Sequence, residues 1–279
     1  MASRRRSAVI YVGVVLVIAA AAIVVVRTVW GSTTNTVAYE HCTVGQYDLD
    51  PSQAAVASTM VGVATTKTLP ERAAVLSLAG ALQESKIRNL PPNAGDRDSV
   101  GVLQQRPSQG WGTPAQLNDV HYATGAFLNA LVRIPNWQTL SLATAVQDVQ
   151  ISADGSAYAQ HEPEAQALAD ALTGRSPAAI TCTFNPPAKV AAASDVAAKL
   201  SADLPVNPPN VTGLVVSVPG AKWQTAAWFV ANAYDLGIDR VGYSGKQWSR
   251  AKGWQDMPTS AAGVTATMAV STSGTSTTN

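Results

Sequence analysis

The strongest hydrophobic pattern in the chain is an uninterrupted apolar run from Ala8 to Val26, near the N terminus. Three arginines precede it at positions 4–6, and one follows it. A membrane-spanning helix needs about 20 apolar residues, whereas the core of a cleaved signal peptide has about 7–15. The run therefore predicts an uncleaved signal anchor over residues 8–30. Because positive charges favour the cytoplasmic side, residues 1–7 are expected in the cytoplasm and the bulk of the chain outside the cell.

Beyond a Ser/Thr-rich linker at residues 31–41, apolar residues recur at the three- and four-residue spacing of amphipathic helices. The pattern predicts helices and no strand between Asp50 and Gly174, so the segment 42–182 is expected to be an all-α domain. The helices are predicted at about Asp50–Thr66, Thr68–Asn89, Asn118–Ile134, Ser141–Ile151 and Pro163–Leu172.

The C-terminal third is predicted to be less regular. An Ala/Pro-rich linker at 183–209 is followed by a small α/β module at 210–256 and a Ser/Thr/Ala/Gly-rich disordered tail at 257–279. The fold class is thus expected to be mainly α. The elements predicted in this part are helices at Lys189–Leu200 and Lys222–Leu236 and strands at Gly213–Val218 and Ile238–Tyr243.

Composition narrows the function classes. The 279 residues are 47% hydrophobic and carry a net charge of +1, so the chain can bury a core and has no basic field for nucleic acid. A lone span also argues against solute transport, which needs several helices around a polar path. His121, His161 and Glu162 have the residue types of a metal site, but their spacing fits no short zinc motif. No metal or other cofactor is predicted.

The two cysteines of the chain are Cys42 and Cys182. In an oxidising compartment outside the cell, a pair of cysteines usually forms a disulfide. The sequence therefore favours one disulfide bracketing the helical segment, and two unpaired thiols are the alternative.

Glu84 is an unusual residue of the predicted helices. It lies in the closing turns of the second helix, where the helix dipole disfavours a negative charge. It is either a solvated surface residue or a carboxylic acid that keeps its proton. It is in line with the small residues Ala73, Ser77 and Gly80, which would let another chain segment or a ligand come close.

The loop after this helix supplies a resemblance to a known family. Glu84-Ser85 at a helix end, followed by Ser99-Val100-Gly101-Val102-Leu103-Gln104, resembles the lysozyme-like superfamily, and soluble lytic transglycosylases and goose-type lysozymes most closely. The stretches LPERAAVLSLAGALQESKIRNL and YAQHEPEAQALADALTG also resemble a group of membrane-anchored actinobacterial proteins of uncharacterised role. The resemblance covers about Cys42 to Cys182.

The resemblance implies a role for Glu84 as a general acid. It would protonate the glycosidic oxygen between N-acetylmuramic acid and N-acetylglucosamine in peptidoglycan. It would then accept a proton from the muramyl 6-hydroxyl, which closes an anhydro ring without an activated water or a second carboxylate. A hydrolase would use a second acid, for which Asp96 and Asp98 are the candidates; the alternative is a solvated turn around Arg97.

The same resemblance implies that Ser99, Gly101, Gln104 and Gln105 line the substrate cleft. Gly101 would let the backbone approach the sugar, and Gln104 or Gln105 would bind acetamido or hydroxyl groups. Each of them could instead hold its own loop. Trp111 is expected to cap the core rather than to stack on a sugar.

One departure from the family defines the alternatives for function. Transglycosylases usually carry Ala-x-Tyr-Asn-Ala-Gly in a later helix, with the tyrosine facing the catalytic Glu. Tyr158 is the candidate for this tyrosine and is expected among the substrate-binding residues, but Asn-Ala-Gly is missing. The sequence predicts a membrane-anchored peptidoglycan-cleaving protein, specifically a lytic transglycosylase. The alternative is an inactive lysozyme-like protein that binds peptidoglycan or scaffolds the cell envelope. The C-terminal module is a candidate for binding an envelope protein.

Overall fold

The fold consists of helices and two antiparallel sheets, seen in a computed structural model that describes residues 39–151, 155–258 and 263–270. Two short 3-10 helices, Pro107–Gln109 and Gly155–His161, lie in the connections. The α-helices are α1 (Pro51–Thr66), α2 (Glu71–Ser85), α3 (Pro114–Leu117), α4 (Val120–Leu131), α5 (Leu142–Gln150), α6 (Glu162–Leu172), α7 (Ala193–Asp203), α8 (Trp223–Ala231) and α9 (Ala233–Leu236). The strands are β1 (His41–Val44), β2 (Tyr47–Leu49), β3 (Ile180–Thr183), β4 (Asn210–Thr212), β5 (Val215–Pro219), β6 (Ile238–Tyr243), β7 (Lys246–Ser249), β8 (Gly253–Asp256) and β9 (Gly263–Met268).

The fold class is mixed α/β, so the prediction of a mainly α chain with an all-α domain at 42–182 was wrong. Within that segment, β1, β2 and β3 form a three-stranded sheet in the order β2-β1-β3. Each of these strands has only three or four residues, which is too short for a clear alternating pattern. The partner of β1 also comes from the far end of the segment, and no local pattern reveals such a pairing.

The disulfide between Cys42 and Cys182 is present, with an S–S distance of 2.01 Å. The two residues face each other directly in the antiparallel pair β1–β3, and both are buried. The disulfide joins the two ends of the helical segment across a sequence separation of 140. A loop of this kind is expected to contribute about 2–4 kcal/mol by restricting the unfolded chain.

The five helices predicted between Asp50 and Gly174 are confirmed as α1, α2, α4, α5 and α6. α1 begins with a capping box in which Asp50 and Gln53 bond to each other's backbone, as the sequence indicates. α2 is the central helix, because 10 of its 15 residues are buried and it packs against α1, α4, α5 and α6. At Gly80, an added Cβ would lie 3.3 Å from Leu103 of the following loop, so the small residues of α2 admit another chain segment.

The C-terminal part forms a six-stranded antiparallel sheet in the order β4-β5-β9-β6-β7-β8. β9 lies in the interior of this sheet, between β5 and β6, so the prediction of disorder over 257–279 was wrong for residues 263–268. Its composition of Thr, Ala and Gly suggests disorder, but Val264, Ala266 and Met268 alternate inward and are buried. The last nine residues lie outside the described part of the chain.

The hydrophobic core runs continuously from the helical segment into the C-terminal sheet. α8 makes this connection, because it packs against α1, α6 and β3 and also against β6 and β9 of the C-terminal sheet. α7 lies in the predicted Ala/Pro-rich linker and packs against α1 and the strands β4 and β5. Trp228 and Trp248 are the largest fully buried side chains of this region.

The helices of the described residues are all too short or too polar to cross a bilayer. The predicted anchor at 8–30 and the cytoplasmic tail at 1–7 lie outside the described residues.

Candidate active site

A cleft of about 610 Å³ opens beside the C-terminal end of α2, with Glu84 in its wall. The lining comes from three parts of the chain: the end of α2, the loop between α2 and α3, and the end of α5. The cavity is within the usual size range for ligand pockets, and nine of its eleven lining residues are polar or charged. Of the predicted site residues, the cleft brings together Glu84, Ser99, Gln104 and Gln105.

Tyr158 fixes the Glu84 carboxylate. Its hydroxyl donates a hydrogen bond to Glu84 Oε1 at 2.6 Å. The Tyr158 side chain is only 1% exposed and belongs to the 3-10 helix Gly155–His161, which packs against α2 and α5. Glu84 itself is half-buried. The structure thus pairs a rigid phenol with an acid that remains accessible from the cleft.

The loop opposite Glu84 is held by bonds from both flanking helices. Ser85 Oγ, at the end of α2, donates to the carbonyl of Val102 at 2.7 Å. Gln150 Nε2, at the end of α5, donates to the carbonyl of Leu103 at 3.0 Å. Because side chains of α2 and α5 both bind this loop, its position relative to Glu84 is fixed by the helical core. Ser85, the second half of the Glu-Ser pair, therefore anchors the loop.

Gly101 is required by the turn and is not part of the cleft lining. Its φ is +79°, a region in which glycine carries no steric cost. A Cβ added to it would collide with the carbonyl oxygen of Leu117, and its N–H donates to Leu90 O at 2.8 Å. Gly101 therefore faces α3 in this structure, and its small size serves the packing of the loop.

The side chains of the three polar loop residues differ in what they can offer a ligand. Ser99 is 4% exposed, and its hydroxyl accepts a hydrogen bond from Arg106 Nε at 3.1 Å. Gln105 is 2% exposed and donates to Ala123 O at 3.2 Å, so its amide mainly ties the loop to α4. Gln104 is half-buried, with its Nε2 donating to the carbonyl of Gly101 at 2.8 Å. The Gln104 amide is the most accessible of the three.

The two candidate second acids have different surroundings. Asp98 Oδ2 accepts a hydrogen bond from the backbone N–H of Ser108 at 2.8 Å, which holds the pKa of Asp98 below its ordinary value. Asp98 does not line the cleft, whereas Asp96 does. The Asp96 side chain is 77% exposed and pairs with Arg106 at 3.3 Å. Only Asp96 remains available to a reaction in the cleft, and it is a solvated, ion-paired carboxylate.

Trp111 and several residues that the sequence analysis does not single out also line the cleft. Trp111 contributes one wall while also packing against the core, so the two roles weighed for it are compatible. Gln150 and Ile151 form the wall at the end of α5, where Ile151 is 83% exposed in a left-handed conformation. In the sequence, an exposed isoleucine after a helix end is only a weak signal of a binding site. Only the fold shows that α5 ends beside α2.

The histidines that suggested a metal site lie in separate places. His121 Nε2 is 2.9 Å from Asp203 Oδ1, and His161 Nε2 is 3.0 Å from Gln83 Oε1. Within residues 39–151, 155–258 and 263–270, no group of three or more His, Cys, Asp or Glu side chains could hold a metal ion.

Comparison with known proteins identifies no family for this chain. No protein-family model matches the chain, and no curated protein is significantly similar to it. The resemblance to lysozyme-like proteins therefore depends on the residues around Glu84 and on the loop that follows.

Proposed function

We propose that this protein cleaves the glycan strands of peptidoglycan as a lytic transglycosylase, with Glu84 as its catalytic acid. The observation that carries the proposal is the position of Glu84 in the wall of a polar cleft, bonded to the buried Tyr158 and opposite the Gln104 loop. The protein is proposed to act outside the cell, tethered to the membrane by residues 8–30.

In the proposed reaction, protonated Glu84 gives its proton to the glycosidic oxygen as the bond to C1 of N-acetylmuramic acid breaks. The muramyl 6-hydroxyl attacks C1 from within the same sugar, and its proton passes to the Glu84 carboxylate. The acid is thereby regenerated, and no water is consumed. Tyr158 is the positioning residue, because its hydrogen bond restricts the rotation of the carboxyl group.

The surroundings of the two aspartates favour transglycosylation over hydrolysis. A hydrolase needs a second carboxylate to orient water against the sugar. Asp98 is bonded to the loop backbone outside the cleft lining, and Asp96 is solvated and paired with Arg106. Neither carboxylate is both fixed in place and exposed to the cleft, which suits a mechanism that uses one acid.

A second candidate function is binding without turnover. The segment GSAYAQH around Tyr158 lacks the Asn-Ala-Gly that follows this tyrosine in transglycosylases. If that part of the site is essential for cleavage, the cleft holds glycan and the protein scaffolds the cell wall.

The two functions are distinguished by incubating the full-length chain, in detergent solution, with purified peptidoglycan. A transglycosylase releases anhydromuropeptides, detected by mass spectrometry, and Glu84→Gln abolishes the release. A matched control is Glu162→Gln, because Glu162 is a half-exposed glutamate in a surface pair with Arg72. Co-sedimentation with peptidoglycan without any release would support the binding function, and absence of both would refute both functions.

A further inference from the structure

A second pocket, of about 420 Å³, lies between α1, α4 and α7. It shares no lining residue with the Glu84 cleft. The proposed glycan cleavage gives this pocket no role.

The floor of the pocket is built from small side chains. Gly125 lies in the interior of α4, where glycine destabilises a helix by about 1 kcal/mol relative to alanine. A Cβ added to Gly125 would meet only the Lys67 side chain, at 3.7 Å, so the space beside it is open. Ala126 and Ala202 line the same cavity. The floor can therefore accept a methyl-sized apolar group.

The rim of the pocket carries a lysine available to an anion. Lys67 Nζ donates to Asn129 Oδ1 at 2.8 Å, and it forms no ion pair with any carboxylate of the described residues. The amide of Asn129 holds the ammonium group at the rim. A carboxylate that enters the pocket would gain a charge-assisted hydrogen bond from Lys67.

The acid in the lining, Asp203, is already neutralised by other groups. Its Oδ1 lies 2.9 Å from His121 Nε2, and its Oδ2 accepts hydrogen bonds from Lys199 and Trp228 at 2.8 Å each. Asp203 is 2% exposed, so it presents little charge to the cavity. His121 is already paired with Asp203, so Lys67 is the cationic side chain of the lining that has no carboxylate partner among the described residues.

We propose that this pocket binds the carboxyl terminus of a peptide that ends in an alanine-sized residue. The terminal carboxylate pairs with Lys67, and the methyl group of the last residue packs over Gly125 and Ala126. The hydroxyl of Thr66 and the Nδ2 group of Asn129, both in the lining, are available to the peptide group. The site does not depend on the proposed glycan cleavage.

The test uses equilibrium dialysis of the full-length chain in detergent solution. The probes are acetyl-alanyl-alanine in its L,L and D,D forms and the corresponding C-terminal amides. At least one of the two acids is expected to bind about tenfold more tightly than its amide, because only the acid pairs with Lys67. Weak binding of both acids, no stronger than that of the amides, would overturn the proposal.

Substitutions inside and outside the pocket test whether the peptide binds there. Lys67→Met is expected to reduce acid binding about tenfold, whereas Lys252→Met, at an exposed lysine of the C-terminal sheet, leaves binding unchanged. Gly125→Leu fills the floor and abolishes binding. Because Gly125→Leu also crowds the α1–α4 contact, Lys67→Met at the surface decides the outcome. Glu84→Gln binds the peptide like the wild type, and unchanged binding by Lys67→Met would refute the site.

Discussion

The substitution Tyr158→Phe removes the hydrogen bond that positions the proposed acid. The hydroxyl of Tyr158 donates to Glu84 Oε1 at 2.6 Å, and the ring is 1% exposed, so phenylalanine retains the buried ring. Tyr158 is not part of the cleft lining. The change therefore removes one donor from the acid and leaves the cleft surface intact.

The expected loss of activity follows from the kind of hydrogen bond that is removed and from its exposure to water. A hydrogen bond between uncharged groups contributes about 0.5–1.5 kcal/mol, and the proposed acid is uncharged when it gives its proton. Because Tyr158 is buried, water cannot readily replace the lost bond, and we expect a value near the upper limit. A loss of about 1.4 kcal/mol corresponds to a tenfold change in rate. Tyr158→Phe should therefore lower kcat about tenfold with little change in KM, since the bond orients the acid without touching the substrate.

The assay is the rate of muropeptide release from peptidoglycan over a range of substrate concentrations. Tyr47→Phe is the matched control, because the Tyr47 hydroxyl, in β2, accepts a hydrogen bond from Gln46 Nε2 and does not line the cleft. Thermal unfolding of both variants shows whether the fold is retained. A wild-type kcat for Tyr158→Phe, or a rise in KM alone, would refute the positioning role.

Three further predictions concern the stability of the fold. Gly101→Ala should destabilise the protein by about 2–4 kcal/mol in urea unfolding, because it combines an unfavourable positive φ with a backbone collision; a loss under about 0.5 kcal/mol would contradict this. Replacing Cys42 and Cys182 together by serine should cost about 2–4 kcal/mol, and unchanged thermal unfolding would refute the contribution of the disulfide. The hydrogen bond to Asp203 raises the pKa of His121 above its ordinary value of 6.5. The contribution of this pair to the stability of the fold is therefore complete below pH 6.5 and is lost as the pH rises through the folded-state pKa of His121. The advantage of wild type over His121→Gln in unfolding free energy should therefore fall between about pH 5.5 and 8.5. Because His121 is partly exposed, the expected fall is under about 1 kcal/mol, and an increase over this range would refute the prediction.

Local signals in the sequence were sufficient for most of the helices. Asp50 and Gln53 form the capping box that the sequence indicates for α1, and the apolar spacing of α2 correctly predicts a buried helix that carries Glu84 near its end. The disulfide was also predictable, because only two cysteines are available. In each case the relevant residues are close in sequence, or the choice of partners is small.

Long-range pairing was the main source of error. β1 and β3 are short strands from opposite ends of the helical segment, and β9 has a composition typical of a disordered tail. Their stability comes from partners that are distant in the sequence. Periodicity within a short window carries no information about such partners.

The candidate site also combines residues that the sequence predicts with residues that only the fold brings together. Glu84 and the Gln104 loop were expected together from the resemblance, and the structure places them around one cleft. Gln150 and Ile151 were not expected there, because they come from the end of α5 and reach the cleft only through helix packing. Gly101 was expected at the sugar, but its φ of +79° and the backbone of α3 beside it show a packing role.

The central claim is that Glu84 alone carries out glycan cleavage without consuming water. Its most direct test is digestion of peptidoglycan by the full-length chain in water labelled with oxygen-18, followed by mass spectrometry of the released fragments. Wild type is expected to release anhydromuropeptides that contain no label, and Glu84→Gln is expected to release none. Equal release by Glu84→Gln, or labelled reducing ends from the wild type, would contradict the claim.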